Sequence, residues 1–287
     1  MHIILGGTGH VGSAAAHRLL ALREPVTIVS RNPDKRADWE HRGARFAVVD
    51  VLDVDAMRAV LKRGRTAFVL NPPADVSTDT DAQERRTVAA ILAALDGSGL
   101  EHVVAQSTMG AQPGERLGDL SVLHELEQGL RRQPIPASIV RAAYYMSNWD
   151  ASVPMIRSQG RLETLLPADL VMPVVAPEDL GHAAARLLMA PPPSETALHS
   201  VEGPRRYSPN DVAAAFASAL GRAVEVRVTP RSGWVAAYRQ LGFSEAAAAS
   251  FARMTAVSVD GGFPAPASTE RGAVTLQAYV NSLLEGR

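Results

Sequence analysis

The sequence predicts a doubly wound α/β fold: a parallel central sheet with helices on both faces and a smaller carboxyl-terminal lobe. Three observations carry this. Short apolar runs alternate with helical patterns through the first half of the chain. Several of the runs are continuously apolar, as in Thr66-Ala67-Phe68-Val69-Leu70 and His102-Val103-Val104-Ala105, which is how strands covered on both faces read. The first run, Ile3-Ile4-Leu5, enters the glycine-rich turn Gly6-Gly7-Thr8-Gly9-His10-Val11-Gly12, and a helical segment follows at once.

Strands are expected at 2–6, 25–30, 45–50, 66–70, 102–106 and 136–141, with helices at 11–22, 34–42, 53–62, 80–97 and 121–132 between them. Short connections make the crossovers right-handed. Asn32-Pro33 opens the second helix and Asp53 the third, both with capping chemistry. In the second half, Pro177-Glu178-Asp179 starts a helix through Met189, which Pro191-Pro192-Pro193 ends. A strand at 197–201 precedes a helix that starts at Ser208-Pro209-Asn210 and stops at Gly221, and a strand at 223–228 follows. Helices near 230–241 and 244–256, a loop at Gly261-Gly262-Phe263-Pro264 and a terminal helix at 269–285 complete the reading. The expected division is a nucleotide domain at 1–150 and a smaller substrate lobe at 151–287, with the 177–189 helix packed back on the sheet.

A chain of 287 residues, 46% hydrophobic and 21% charged, buries a large core and is not disordered. A net charge of -1 supplies no field to recruit nucleic acid or anionic membrane. The absence of cysteine excludes disulfides and thiolate chemistry and suits a cytoplasmic setting. No apolar run approaches the ~18 residues of a transmembrane helix. The opening strand and turn are not the pattern of a signal peptide. Histidines are scattered, and His124-Glu125 lacks the second histidine of a helical zinc site, so no metal is expected. Neither a Gly-x-Ser-x-Gly elbow nor a lysine after Gly12 is present, which argues against hydrolase and Walker chemistry.

A bare glycine triplet also suits a hairpin. With a strand before it and a helix after it, the turn at Gly6, Gly7, Thr8, Gly9, His10, Val11 and Gly12 reads as a Rossmann-like pyrophosphate site. The second strand ends Val29-Ser30-Arg31, where a carboxylate would bind the ribose hydroxyls of NAD. Arg31 stands there instead, with Lys35 and Arg36 one turn on, so the expected cofactor is NADP(H), its 2′-phosphate held by these cations. The competing reading of Arg31 is a solvated surface charge. Asp50 and Val51 end the third strand and suit the adenine. Asn71 and Pro72 end the fourth and suit the nicotinamide ribose or pyrophosphate. Both turns also read as plain strand terminations.

Several stretches together resemble the atypical short-chain dehydrogenase/reductase superfamily, in its NmrA-like branch. They are the glycine turn, Ser30-Arg31-Asn32-Pro33, Val103 to Thr108, Ile139 to Trp149, Pro177 to Gly181, Glu202-Gly203-Pro204, Ser208 to Ala213 and Leu220-Gly221-Arg222. The resemblance implies a small-molecule substrate held between sheet and lobe, over the nicotinamide. It also implies one of two kinds of relative: a reductase of quinones, azo compounds or triphenylmethane dyes, or a regulator that binds dinucleotide, turns nothing over and signals through a protein partner.

The chain departs from the superfamily's usual chemistry. The helix after the fifth strand carries no tyrosine–lysine pair, Leu123 stands where the branch often has lysine, and no lysine follows Lys62. His124 is the candidate proton donor, since its ordinary pKa lies near neutrality; it also reads as a helix-face histidine paired with Glu125 or Glu127. Ser107, Thr108 and Met109 end the fifth strand, Ser107 toward the cofactor and the other two toward substrate; the two hydroxyls read equally well as strand-end caps. Tyr144, Tyr145 and Trp149 suit stacking on a planar substrate, and suit lobe core better.

Overall fold

The structure, a computed structural model, describes residues 1–262 and 265–286. Its first half alternates as expected. Strand β1 (His2–Leu5) leads into α1 (His10–Ala21), β2 (Val26–Ser30) into α2 (Arg36–His41), and β3 (Arg45–Val48) into α3 (Val54–Leu61). Then come β4 (Thr66–Val69), α4 (Thr80–Leu95), β5 (His102–Thr108), α5 (Asp119–Arg131) and β6 (Ala137–Ala142). The second half runs β7 (Tyr144–Tyr145), α6 (Val153–Gln159), β8 (Arg161–Thr164), β9 (Met172–Val175), α7 (Pro177–Met189) and β10 (Ala197–Glu202). It continues with β11 (Arg206–Tyr207), α8 (Pro209–Leu220), β12 (Glu225–Val228), α9 (Trp234–Gln240), α10 (Glu245–Val259), β13 (Thr269–Arg271) and α11 (Leu276–Leu284).

The central sheet has eight strands in the order β13-β10-β6-β5-β4-β1-β2-β3. Every pairing in it is parallel. The chain moves outward from β1 to β3, then restarts at β4 on the other side of β1. That reversal opens a crevice beyond the carboxyl ends of β1 and β4, the place where such sheets bind ligands.

Alternating residues of the strands feed two cores. Ile4, Ile28, Phe68, Val104 and Val140 pack under Ala15 and Leu19 of α1 and Leu180 and Leu188 of α7. Ile3, Leu5, Ala67, Val103 and Ile139 face Met57 of α3, Ile91 of α4 and Leu126 of α5. A third core, around Trp149, Ile156, Leu162, Phe216 and Val280, holds the lobe. The caps follow the sequence: Asn32 accepts from the Asp34 amide, Asp53 from the Ala56 amide, and Ser208 forms a reciprocal box with Asp211.

One expectation is corrected. The stretch at 269–285 is not one helix. Thr269–Arg271 adds as β13 to the free edge of β10, and α11 starts only at Leu276, capped by Thr275. The Asp179 carboxylate forces the break by accepting the Ala273 and Val274 amides at 3.0 and 3.1 Å. The 223–228 strand, shortened to β12, pairs with β8 outside the central sheet, and β7, β9 and β11 make a further small sheet that the sequence reading did not include. Of the expected 261–264 loop, Phe263 and Pro264 lie outside the described residues.

Candidate functional site

The glycine turn is built for close approach. Gly6 has φ +68°, in the region that favours glycine, and its carbonyl accepts the Gly9 amide at 3.0 Å. A β-carbon on Gly12 would overlap that same carbonyl, and one on Gly7 would lie 2.8 Å from Ile28 Cδ1. Gly9 caps α1 in an extended conformation with no side-chain cap, and the first bond into the helix runs from Ser13 N to Gly9 O at 2.9 Å. The His10, Val11 and Gly12 amides are therefore left for a ligand, at the positive end of the helix dipole. Gly181 of α7 lies so close to Ala14 and Ala15 that a side chain there would overlap α1, so a second small residue fixes the angle of the cradle.

At the adenosine end, Ser30 Oγ sits 3.4 Å from Thr8 Oγ1 and accepts the Asn32 amide at 3.2 Å. These contacts tie the end of β2 to the glycine turn, with Arg31 and Lys35 exposed beside it. Arg36 lies 5.9 Å over the Phe46 ring. The Asp50 carboxylate accepts the Leu52 amide at 2.9 Å. Val51 does not offer the expected apolar surface: its side chain is buried in the core against α3.

At the other end, Asn71 and Pro72 lie half-buried past β4, and Asn71 Oδ1 is a buried acceptor without a partner. A buried orphan of this kind is what a bound group would satisfy. Together with the open first turn of α1 and the glycines that clear it, it fits a dinucleotide. The Ser107 hydroxyl is not free as expected. It donates to Glu127 at 2.6 Å, and Arg141 holds Glu127 from the other side at 2.8 and 2.6 Å. Glu127 is 1% exposed, so the three residues form an interior ion network that occupies the Ser107 hydroxyl. Met109 is also corrected: its side chain is 9% exposed and packs in the core above the sheet. Thr108 is half-buried, and its hydroxyl donates to the Met109 carbonyl at 3.2 Å.

His124 is not paired with either neighbouring carboxylate. Glu125 binds Arg85 and Glu127 binds Arg141, which leaves His124 Nδ1 buried and unpartnered. Tyr144 and Tyr145 are half-buried, while Trp149 lies in the lobe core with its ring centroid 5.2 Å from that of Tyr144. Burial pushes the Tyr144 phenol up to about 12 and raises that of Tyr145, which the Asp119 charge raises further.

Two acidic residues absent from the sequence reading complete this end. Glu84 of α4 is 4% exposed and accepts the Ala74 amide at 3.1 Å, which pins the loop after β4. Burial, and then the charge of Asp119 at the start of α5, holds its carboxyl above the usual carboxylate range, and burial raises that of Asp119 as well. Acidic residues on two separate helices read as solvated faces; only the topology brings them together.

The chain is 27% identical over 224 residues to an NAD(P)H azoreductase of Xenophilus azovorans, covering 78% of this chain and 75% of the relative. It is 30% identical over 228 residues to a (4-alkanoyl-5-oxo-2,5-dihydrofuran-3-yl)methyl phosphate reductase of Streptomyces griseus, covering 77% and 74%. Among solved structures, an NADPH-dependent quinone oxidoreductase of Escherichia coli, complexed with NADPH, matches with a TM-score of 0.82 at 20% identity, over 99% of this chain and 100% of that one. The profile of the NmrA-like family matches residues 2–276, and with that span the chain belongs to the NmrA-like family.

Proposed function

We propose that this protein is an NADP(H)-dependent reductase of a planar, electron-poor small molecule of the quinone class. The observation that carries the reading is the glycine cradle with a cation at the end of β2. Gly12 leaves room over the Gly6 carbonyl, and Arg31 stands where a ribose-binding carboxylate would stand in an NAD site. The relatives named as azo and quinone reductases support it.

The amides of His10, Val11 and Gly12 would hold the pyrophosphate; Arg31, Lys35 and Arg36 would hold a 2′-phosphate. A nicotinamide, when bound, supplies a hydride. The half-buried Tyr144 and Tyr145 offer ring surface to a flat acceptor at the mouth of the crevice. Positioning does much of the work in such a reaction. Residues 1–150 would serve the cofactor and 151–287 the substrate. Among the described residues no helix is long and apolar enough to cross a membrane, which agrees with a cytoplasmic enzyme.

Mixing purified protein with NADPH and a panel of quinones, and following cofactor absorbance, tests the reading. Quinone-dependent loss of NADPH supports it. Tight NADPH binding with no turnover of any acceptor contradicts it and leaves a regulator that acts through a protein partner.

A further inference from the structure

We propose that α9 and α10 form a lid over the Tyr144 end of the crevice, latched by Ser244 and Ser250 and opening as one body to admit the flat acceptor. The proposal rests on the reductase reading above and names the route by which its substrate enters.

The two helices make a closed unit. Tyr238 of α9 packs ring against ring with Phe243 and Phe251, the three centroids lying 5.0, 5.1 and 5.7 Å apart. The Tyr238 hydroxyl shares a hydrogen bond of 2.8 Å with Thr255 of α10. At the base, Arg231 before α9 donates to both carboxylate oxygens of Asp260 after α10, each at 2.7 Å. The hairpin carries its own small core and ties its own ends together.

Its attachment to the rest of the chain is different in kind. Among the described residues, none between 229 and 262 belongs to the three cores of sheet and lobe. The α10 side chains buried completely are small: Ala247, Ala248 and Ser250. The fastenings that reach outward are hydrogen bonds to two loops, with Met254 seated on Gly118. Ser244, the cap of α10, donates its amide to the Val76 carbonyl at 2.8 Å and its hydroxyl to the Thr78 carbonyl at 2.6 Å, in the loop after β4. Ser250 accepts the Gly118 amide and donates to the Arg116 carbonyl, both at 3.0 Å, in the loop after β5. Arg253 donates to the same carbonyl at 3.0 Å, and the ion pair of Arg116 with Asp79 at 2.6 Å ties the two loops to each other. A segment held by a few hydrogen bonds and little apolar contact opens at a lower free energy than the sheet beneath it.

The placement fits a lid. Both loops leave the carboxyl ends of the paired strands β4 and β5, on the rim that carries Asn71. Tyr238 also neighbours the ring offered to the acceptor: burial first, and Tyr238 after it, raise the Tyr144 phenol to about 12. Seated, the hairpin closes that side of Tyr144 to a flat ring. Its two ends suit a pivot, with Pro230 before it and Gly261, at φ +68°, and Gly262 after it. Gln112 donates to the Gly262 carbonyl at 3.2 Å, which keeps the pivot in place while the helices swing.

Two measurements test the lid. The first is hydrogen exchange of the protein alone. The amides of α9 and α10 are expected to exchange together and faster than those of β1, β4 and β5. Ser250→Ala is expected to speed both helices about tenfold and to leave the strands unchanged. The second joins Thr78→Cys to Ser244→Cys with dibromobimane, which fluoresces once it has bridged two thiols, in a chain that has no cysteine of its own. The bridged protein is expected to reduce a quinone with NADPH about tenfold more slowly than the same variant unbridged. Its calorimetric affinity for NADPH is expected to stay the same, because the glycine cradle lies outside the hairpin. Equal rates with and without the bridge, helices that exchange as slowly as β4, or a Ser250→Ala effect confined to the residues beside it overturns the lid. No turnover of any acceptor by wild type overturns the reductase reading instead, and exchange still decides whether the hairpin opens as one body.

Discussion

Gly12 stands directly over the carbonyl of Gly6: a β-carbon at Gly12 would also lie 3.0 Å from the Gly7 α-carbon. The obstacle is backbone, which cannot swing away as a side chain can. Gly12→Ala is therefore expected to spread the turn and aim the first-turn amides away from their ligand. Overpacking of this kind costs roughly 1–3 kcal/mol. Calorimetric titration with NADPH is expected to show at least a tenfold loss of affinity while circular dichroism still reports a folded chain. Wild-type affinity in the variant would refute the cradle.

The proposed preference for NADP(H) turns on Arg31. The contact between Ser30 and Thr8 fixes the end of β2 beside the glycine turn, so the guanidinium is presented at the adenosine end. A hydrogen bond to a charged group contributes about 1.5–3 kcal/mol. Arg31→Asp is expected to weaken NADPH roughly tenfold to a hundredfold and to leave NADH nearly unchanged. Equal losses for both nucleotides would show that Arg31 is only a surface charge.

The Ser107–Glu127–Arg141 network is read as architecture. Glu127→Gln leaves the Arg141 guanidinium facing a neutral group in the interior, and breaking a buried pair in this way costs about 3–5 kcal/mol. The chain is expected to lose that much stability in a urea titration, with no change in the NADPH affinity of the folded fraction. A variant as stable as wild type but unable to bind NADPH would return Ser107 to the cofactor site.

Stability should fall in acid. Burial, first among the causes, holds His2, His102 and His199 below the ordinary histidine value of 6.5, and each gains protons when the chain unfolds. The unfolded state therefore binds more protons, so this stability is full above 6.5 and is lost as pH falls from there toward the lowered folded values. His102→Gln keeps a partner for Ser138, now 3.0 Å from the ring, and is expected to flatten the decline between pH 6.5 and 5. Glu84 works the other way: its raised value favours the fold below the ordinary carboxylate range and that advantage is lost as pH rises through about 7. Glu84→Gln is thus expected to gain on wild type in melting temperature from pH 5 to 8, and a difference independent of pH would contradict the assignment.

The sheet from β1 to β6 was legible because each strand is buried on both faces and reads as an apolar run, while Asn32, Asp53 and Ser208 announce the helices they cap. β13 was not. Thr269-Glu270-Arg271 has no apolar run; it is a strand because an edge was open beside β10 and Asp179 turns the chain after it. The cofactor end proposed here rests on glycine spacing and the cation after β2, both visible in the chain itself. The burial of Glu84 and Asp119 was not, because both are ordinary helix acids until α4 and α5 pack together. Ser107 and Met109 were placed by strand position alone; which face of β5 each side chain takes, and what waits there, needed the packing.

One titration reaches furthest into this account. Folded protein in the calorimeter cell, NADPH in the syringe, should give saturable binding at one site per chain, tighter than for NADH. A flat trace with NADPH and with NADP would mean that the turn from Gly6 to Gly12 holds no such nucleotide.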